Sequence, residues 1–315
     1  MKSANPQASS MEGMGRLRVA FFGMSGQVSV GALAAIASEH TVAAVIQPRA
    51  RRREGGRVRR LLGGLARTVG LSRPRPLEAL RSAHGFPVWE ARSGTDPDIA
   101  ERLHALQPDL ICIAGYPWIL PPEVLAGPSL GAVNLHAALL PRHRGPLPLF
   151  WIYYHDDRET GVTVHRAIAE ADAGEILGQV SFSLQRGFPV DQLNSMNGTR
   201  GAQLLGVVLR DLAAGRTAPR PQDEALVTRA PMVRPGTAMI DFATWDVERV
   251  WHFTAGLFPR FMEPLTLHDG TPIRYGAVRG YLREPHEYQP STVLRAPGGY
   301  DLYCHGGRVQ LATGG

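Results

Sequence analysis

The sequence predicts a doubly wound, mostly parallel α/β sheet followed by a small, β-rich, OB-like C-terminal domain. Three observations predict it. Short apolar runs alternate with helix-like segments up to about residue 140, the pattern of βαβ units with right-handed crossovers. A proline-rich polar stretch, RTAPRPQDEALVTRAPMVRPG (216–236), interrupts the chain. Beyond it lie short β-like runs separated by glycine turns. The expected layout is a disordered lead (1–15), a large α/β domain (16–215), a linker (216–236) and a β-rich domain (237–315).

RLRVAFFGM (16–24) is an apolar run ending in glycine and reads as a buried strand. GQVSVGALAAIASE (26–39) has helical character, and TVAAVIQP (41–48) is a second strand stopped by Pro48. In residues 49–76, Val58, Leu61, Leu62, Leu65 and Val69 fall at helical spacing with arginines between them, which suggests a basic amphipathic helix weakened by Gly63 and Gly64. PLEALRSAHG (76–85) reads as a helix and FPVWEARS (86–93) contains a strand. DPDIAERLHALQ (96–107) is a helix with Asp96 or Asp98 at its start, ahead of strand PDLICIAGYP (108–117). GAVNLHA (131–137) is the next strand. PLFWIYYHDDRETG (148–161) reads as a helix ending in a turn, and VTVHRAI (162–168) and EILGQVSFSL (175–184) as strands flanking ADAG (171–174). Helices are expected near 192–214 and over 245–257. LTLHDGTPIRYGAV, STVLRAPGGYDLYCHGG and RVQLAT supply the terminal β-runs.

Composition narrows the function classes. The net charge is +6, but RARRREGGRVRR (49–60) alone holds seven arginines and one glutamate. The rest is near neutral, so this is not a chain coated in positive charge for nucleic acid. The arginine segment reads first as a solvated face or loop, with a nucleic-acid contact or an acidic partner at Arg49–Arg60 as the alternatives. Two cysteines, Cys112 and Cys304, cannot make a disulfide framework or a zinc site, which points to a reducing cytoplasm. Neither a signal peptide nor a run of 18 apolar residues is present, so no membrane role is expected. The spacing of His143, His155 and His165 matches no ligand pattern, and no metal is expected. GMSG (23–26) is half a dinucleotide fingerprint and reads as a tight turn beside a cleft.

The chemistry gathers around NLHAALLPRHRG (134–145). Side chains two apart on a strand share a face, so Asn134 and His136 point the same way, at the strand end where open α/β sheets bind ligands. Asp172, in the ADAG turn, is placed to approach from another loop and orient the imidazole. An amide and an imidazole can donate to an oxyanion. His136 or Asp172 can take a proton from an attacking amine. No serine or cysteine nucleophile accompanies them, which suits direct transfer from an activated acyl donor.

These blocks, NLHAALLPRHRG, ETGVTVHR (159–166) and ADAGEIL (171–177), resemble the folate-dependent formyltransferase family, as do AGYPWILP (114–121) and PRPQDEALVTRAP (219–231). The resemblance spans nearly the whole chain after residue 16, and the two-domain layout looks like methionyl-tRNA and sugar-nucleotide formyltransferases. It implies catalytic roles for Asn134, His136 and Asp172. It also implies that 10-formyltetrahydrofolate is the donor, held by Gly115, Ile119, Leu120, Ala138, Leu139, Leu140, Pro141 and Gly174. The acceptor would be an amine. Ala138 stands where the family usually has serine. The segment after Pro48 lacks the glycine- and lysine-containing pattern of the tRNA-contacting loop. Phe150, Trp151, Tyr153 and Tyr154 suggest a different acceptor neighbourhood. The reading therefore favours a small amine, such as an amino sugar or a specialised-metabolite precursor, with methionyl-tRNA as the alternative. Two further readings are hydrolysis of 10-formyltetrahydrofolate and a non-catalytic folate- or nucleic-acid-binding module. The sequence leaves the oligomeric state open.

Overall fold

The computed structural model describes residues 15–49 and 76–314. The amphipathic helix and acidic-partner site expected within 49–76 lie, apart from Arg49 and Pro76, outside the described residues, as does nearly all of the expected lead. The elements run β1 (Arg18–Gly23), α1 (Gln27–Glu39), β2 (Thr41–Pro48), α2 (Pro76–His84), β3 (Val88–Ala91), α3 (Pro97–Leu106), β4 (Leu110–Ala114), α4 (Pro122–Ala126) and β5 (Ala132–His136). They continue as α5 (Pro148–Tyr154), β6 (Glu159–Arg166), β7 (Ile176–Ser183), α6 (Val190–Ala213), α7 (Val247–Leu257), β8 (Ala277–Arg283), β9 (Val293–Ala296), β10 (Gly299–Cys304) and β11 (Gly307–Ala312).

Seven strands form one sheet in the order β3-β2-β1-β4-β5-β6-β7. The pairs from β3 through β5 are parallel, and β6 joins β5 antiparallel. Strand order reverses between β1 and β4, which makes their carboxyl ends the topological switch point, where ligands bind in such sheets. Val19, Ala20, Phe21 and Phe22 are all buried, as expected of a central strand covered on both faces. Ser29, in the first turns of α1, ties the switch point together. Its hydroxyl accepts the Met24 N–H at 3.2 Å and donates to the Ala114 carbonyl at 2.5 Å. Cys112 is wholly buried in β4, and burial pushes its thiol up to about 12, so it is inert packing.

Two compact units interleave along the chain, one made of residues 1–136, 163–179 and 198–222, the other of 137–162, 180–197 and 223–315. One boundary between them, at 222/223, falls within the expected linker 216–236. The first unit's core is built by Ala20, Phe22, Ile46, Ile111, Leu120, Leu125 and their neighbours.

The second unit has its own core. Phe150, Ile152 and Tyr153 of α5 and Val250, Phe253 and Leu257 of α7 pack with Val293, Leu302, Val309 and Leu311 of an antiparallel sheet ordered β8-β11-β10-β9. The helix expected over 148–161 stops at Tyr154, because Asp156 adopts a left-handed conformation and Glu159 already begins β6. The β-run expected at 265–278 is irregular up to β8 apart from a Thr266–Pro272 bridge.

The basic end of the 134–145 stretch is structural. The Arg144 guanidinium is buried and forks onto Glu224 at 2.7 and 3.3 Å, while its backbone pairs with Thr228 and Ala230. Gly145 has φ +129°, and a Cβ there would lie 2.8 Å from the Ala230 carbonyl.

His252 of α7 is fully buried against Tyr153, with ring centroids 5.0 Å apart, and its Nδ1 accepts the Gly187 N–H at 3.0 Å. Burial lowers its pKa to about 4, despite the opposing charge of Asp156. The unfolded chain, with a histidine pKa of about 6.5, therefore takes the proton first. Stability is expected to be full above about pH 6.5 and to fall toward pH 4, by on the order of 3 kcal/mol. Melting curves of the wild type and His252→Gln across that window test this. Equal pH slopes in the two proteins would remove His252 as the cause.

Candidate active site

The site is built by the antiparallel pairing of β5 with β6. Asn134 sits opposite His165, and His136 opposite Thr163. Directly opposed residues share a sheet face, so all four project together. Asp172 follows on the loop between β6 and β7, held at φ +56°, a costly conformation for a non-glycine residue. Two contacts hold it there. Gln222 donates through Nε2 to the Asp172 and Gly174 carbonyls at 2.8 and 2.7 Å. Gly174 lets the turn close onto β6, because a Cβ there would lie 2.0 Å from the Arg166 carbonyl. Arg220, two residues before Gln222, exchanges backbone hydrogen bonds with Ile176 at 2.8 and 2.9 Å. The chain just after α6 is thus pinned across the Asp172 turn.

The three residues expected to carry the chemistry come together. Asn134 Nδ2 donates to Asp172 Oδ1 at 3.0 Å. That same oxygen lies 3.5 Å from His136 Nδ1, within ion-pair range and long for a hydrogen bond. His136 and Asp172 are nearly enclosed, with side chains 7% and 12% exposed, so their attraction is screened less than at a surface. Asn134 Nδ2 also lies 3.1 Å from His165 Nε2. The sequence reading gives His165 a surface or core role and Gln222 none. The two-residue period of Thr163 and His165 in ETGVTVHR was the available signal for the first. No local signal marked Gln222.

Beside the switch point, the first unit holds a cleft of about 570 Å³ walled by Phe22, Ile99, Tyr116, Ile119, Leu120 and Val124 among others. Ile119 and Leu120 are two of the expected donor residues, and Gly115 turns the chain into this wall at φ +61°. Ala169, three residues before Asp172, also lines it. Tyr116 packs edge-on against Phe22 and Trp118. Its hydroxyl is buried without a hydrogen-bond partner, and burial raises the phenol pKa. Asp96 at the rim is already committed. It caps α3 through the Asp98 N–H and binds Arg92, which lowers its pKa to about 2.

In the second unit the expected wall from Ala138 to Pro141 is less available. Ala138 and Leu140 are buried, Ala138 within that unit's core. Leu139 and Pro141 keep partial exposure.

Residues 23–205 match the formyl transferase family model. The chain belongs to that family. It is 35% identical to the methionyl-tRNA formyltransferase of Methylococcus capsulatus over 241 residues, 76% of each chain. It is 32% identical to that of Moorella thermoacetica over 301 residues, 95% of this chain and 89% of the other. Among solved structures, it resembles the N-formyltransferase of Helicobacter canadensis complexed with folinic acid and dTDP-3-aminofucose, with a TM-score of 0.66 at 14% identity over 94% of this chain and 99% of that one. It also resembles Aquifex aeolicus HypX complexed with tetrahydrofolic acid, with a TM-score of 0.60 at 16% identity over 94% of this chain and 44% of that one. The fold is that of the folate-dependent formyltransferases, and the chain is an enzyme of that family.

Replacing Gln222 with alanine removes two hydrogen bonds from a strained turn. At about 1 kcal/mol of stability each, the melting temperature should fall by roughly 4–8 °C, and kcat should fall by about tenfold or more as the Asp172 turn loosens. Steady-state kinetics beside a thermal melt measure both. A normal kcat would show that the turn holds without Gln222.

Proposed function

We propose that this formyltransferase moves a formyl group from 10-formyltetrahydrofolate to the amine of methionyl-tRNA. The observation that carries the transfer chemistry is Asp172 Oδ1, held by Asn134 and facing His136 Nδ1. An uncharged amine attacking the formyl carbon places negative charge on the formyl oxygen. His136, kept cationic by Asp172, stabilises that charge. The same pair receives the amine proton and returns it to the leaving nitrogen. The cleft beside Ile119 and Leu120 suits the donor, since its aromatic and aliphatic walls fit a flat heterocycle. The buried Tyr116 hydroxyl there supplies a hydrogen-bonding group for it.

Two findings support methionyl-tRNA as the acceptor over the small amine favoured by sequence. The relatives at 35% and 32% identity carry that name. The aromatic run that pointed to a small acceptor is used in packing. Phe150 and Tyr153 are buried in the second unit's core. Trp151 Nε1 donates to the Pro231 carbonyl at 2.8 Å, and Tyr154 packs edge-on against Phe253. The small-amine reading keeps one observation, the unusual composition of the segment after Pro48.

The test follows tetrahydrofolate release from 10-formyltetrahydrofolate with no acceptor, with methionyl-tRNA, and with amino sugars and amino acids. Release that depends on methionyl-tRNA and weakens steeply with salt is expected. Release only with a small amine would move the acceptor assignment, and release without acceptor would make the enzyme a hydrolase. His136→Ala and Asp172→Ala should each lose at least about a hundredfold in rate. Near-normal turnover in either would sink the mechanism.

A further inference from the structure

His165 is 1% exposed, and its ring is held at both nitrogens. Nδ1 lies 2.8 Å from the Arg166 carbonyl oxygen. A carbonyl only accepts, so Nδ1 carries the hydrogen, and in the neutral ring Nε2 presents a lone pair. Nε2 faces Asn134 Nδ2 at 3.1 Å and Asp172 Oδ1 at 3.3 Å. Of these two only the amide can donate to it. The Asn134 carboxamide has one sensible orientation, because flipping it would set its oxygen 3.0 Å from the Asp172 carboxylate oxygen. Asn134 Nδ2 therefore donates toward both Asp172 Oδ1 and His165 Nε2.

We propose that His165 is a positioning residue for formyl transfer: as the neutral Nδ1–H tautomer it accepts one hydrogen of Asn134 and so fixes the carboxamide that aims Asp172 at His136. The proposal rests on the reading of Asn134, His136 and Asp172 as the catalytic group. Asn134 and His165 together keep the carboxylate partner of His136 in place. The β5–β6 register supplies the geometry, since Asn134 and His165 are directly opposed across the strands. His165 meets no reacting atom in this arrangement and acts through Asn134.

Two experiments decide it. Nitrogen-15 NMR of histidine-labelled protein reads the tautomer directly and needs no turnover. A protonated Nδ1 and a lone-pair Nε2 on His165 are expected, with the Asn134 side-chain amide signals moving in His165→Leu. An Nε2–H tautomer would overturn the proposal, because the ring would then donate to Asp172 and could not hold Asn134. Kinetics supply the second test. His165→Leu should lower kcat about thirtyfold while KM for 10-formyltetrahydrofolate stays within about twofold, and His165→Gln, whose carbonyl oxygen can accept, should recover most of the loss. In an Asn134→Ala background, His165→Leu should add almost nothing, because the two residues act as one unit. Full additivity, or an unchanged kcat in His165→Leu, would overturn the proposal. The tautomer and the glutamine variant keep the test open should His165→Leu fail to fold. Absence of formyl transfer in the wild type would sink the functional reading and leave the tautomer result standing.

Discussion

The antiparallel register of β6 against β5 is the constraint on which the site depends. Five strands of this sheet run parallel and build a doubly wound frame with a switch point between β1 and β4. The sixth turns back, and its pairing sets His165 against Asn134 and Thr163 against His136. A slip of one residue would send every β6 side chain to the other face and remove His165 from Asn134. Burial of Val162 and Val164 on the opposite face penalises that slip, so hydrophobic burial on one side of β6 holds the polar chemistry on the other.

Asp172 shows how rigidity is shared between the frame and the segment after α6. Its left-handed backbone costs energy that the turn alone does not recover. Gly174 allows close approach to Arg166, and Gln222 supplies hydrogen bonds to two carbonyls. Arg220 pairs with Ile176 and fixes where Gln222 arrives. What reads in the sequence as the start of a linker is therefore partly a clamp. The farther part of the same stretch has its own partner in the second unit, where Glu224, Thr228 and Ala230 receive Arg144.

Much of the frame was legible in the sequence because burial writes periodicity. The central strands are apolar on both faces, Asp96 stands at a helix start as its capping role requires, and the alternation of elements dictates the doubly wound sheet. The end of α5 was not legible, because HDDRET carries no glycine or proline and the break comes from the backbone of Asp156. Strand period predicts that Asn134 and His136 share a face, and the structure brings Asp172 to them. His165 was hidden because a buried histidine in a strand looks like packing until the strand opposite is known. Gln222 was hidden because its partners are carbonyls, which every residue possesses. The aromatic run at 150–154 misled for a related reason, since large rings that could line a pocket equally fill a core, and Phe253 and Phe261 decide for the core.

Catalysis by this arrangement then depends on the count of donors more than on their identity. Histidine and carboxylate are common neighbours in proteins, and a carboxylate oxygen 3.5 Å from an imidazole nitrogen does not by itself keep a charge in place. Here that oxygen also receives an amide hydrogen from Asn134, and Asn134 is itself held from the far side by a ring whose tautomer is set by a backbone carbonyl. Each link removes a rotational freedom from the next, so on the proposed mechanism little reorganisation remains when charge develops on the formyl oxygen beside His136. Preorganised dipoles acting with little water present are where most of the transition-state stabilisation in such sites resides. A polar chain across two opposed strands is thus a direct way for this fold to supply it without a nucleophile.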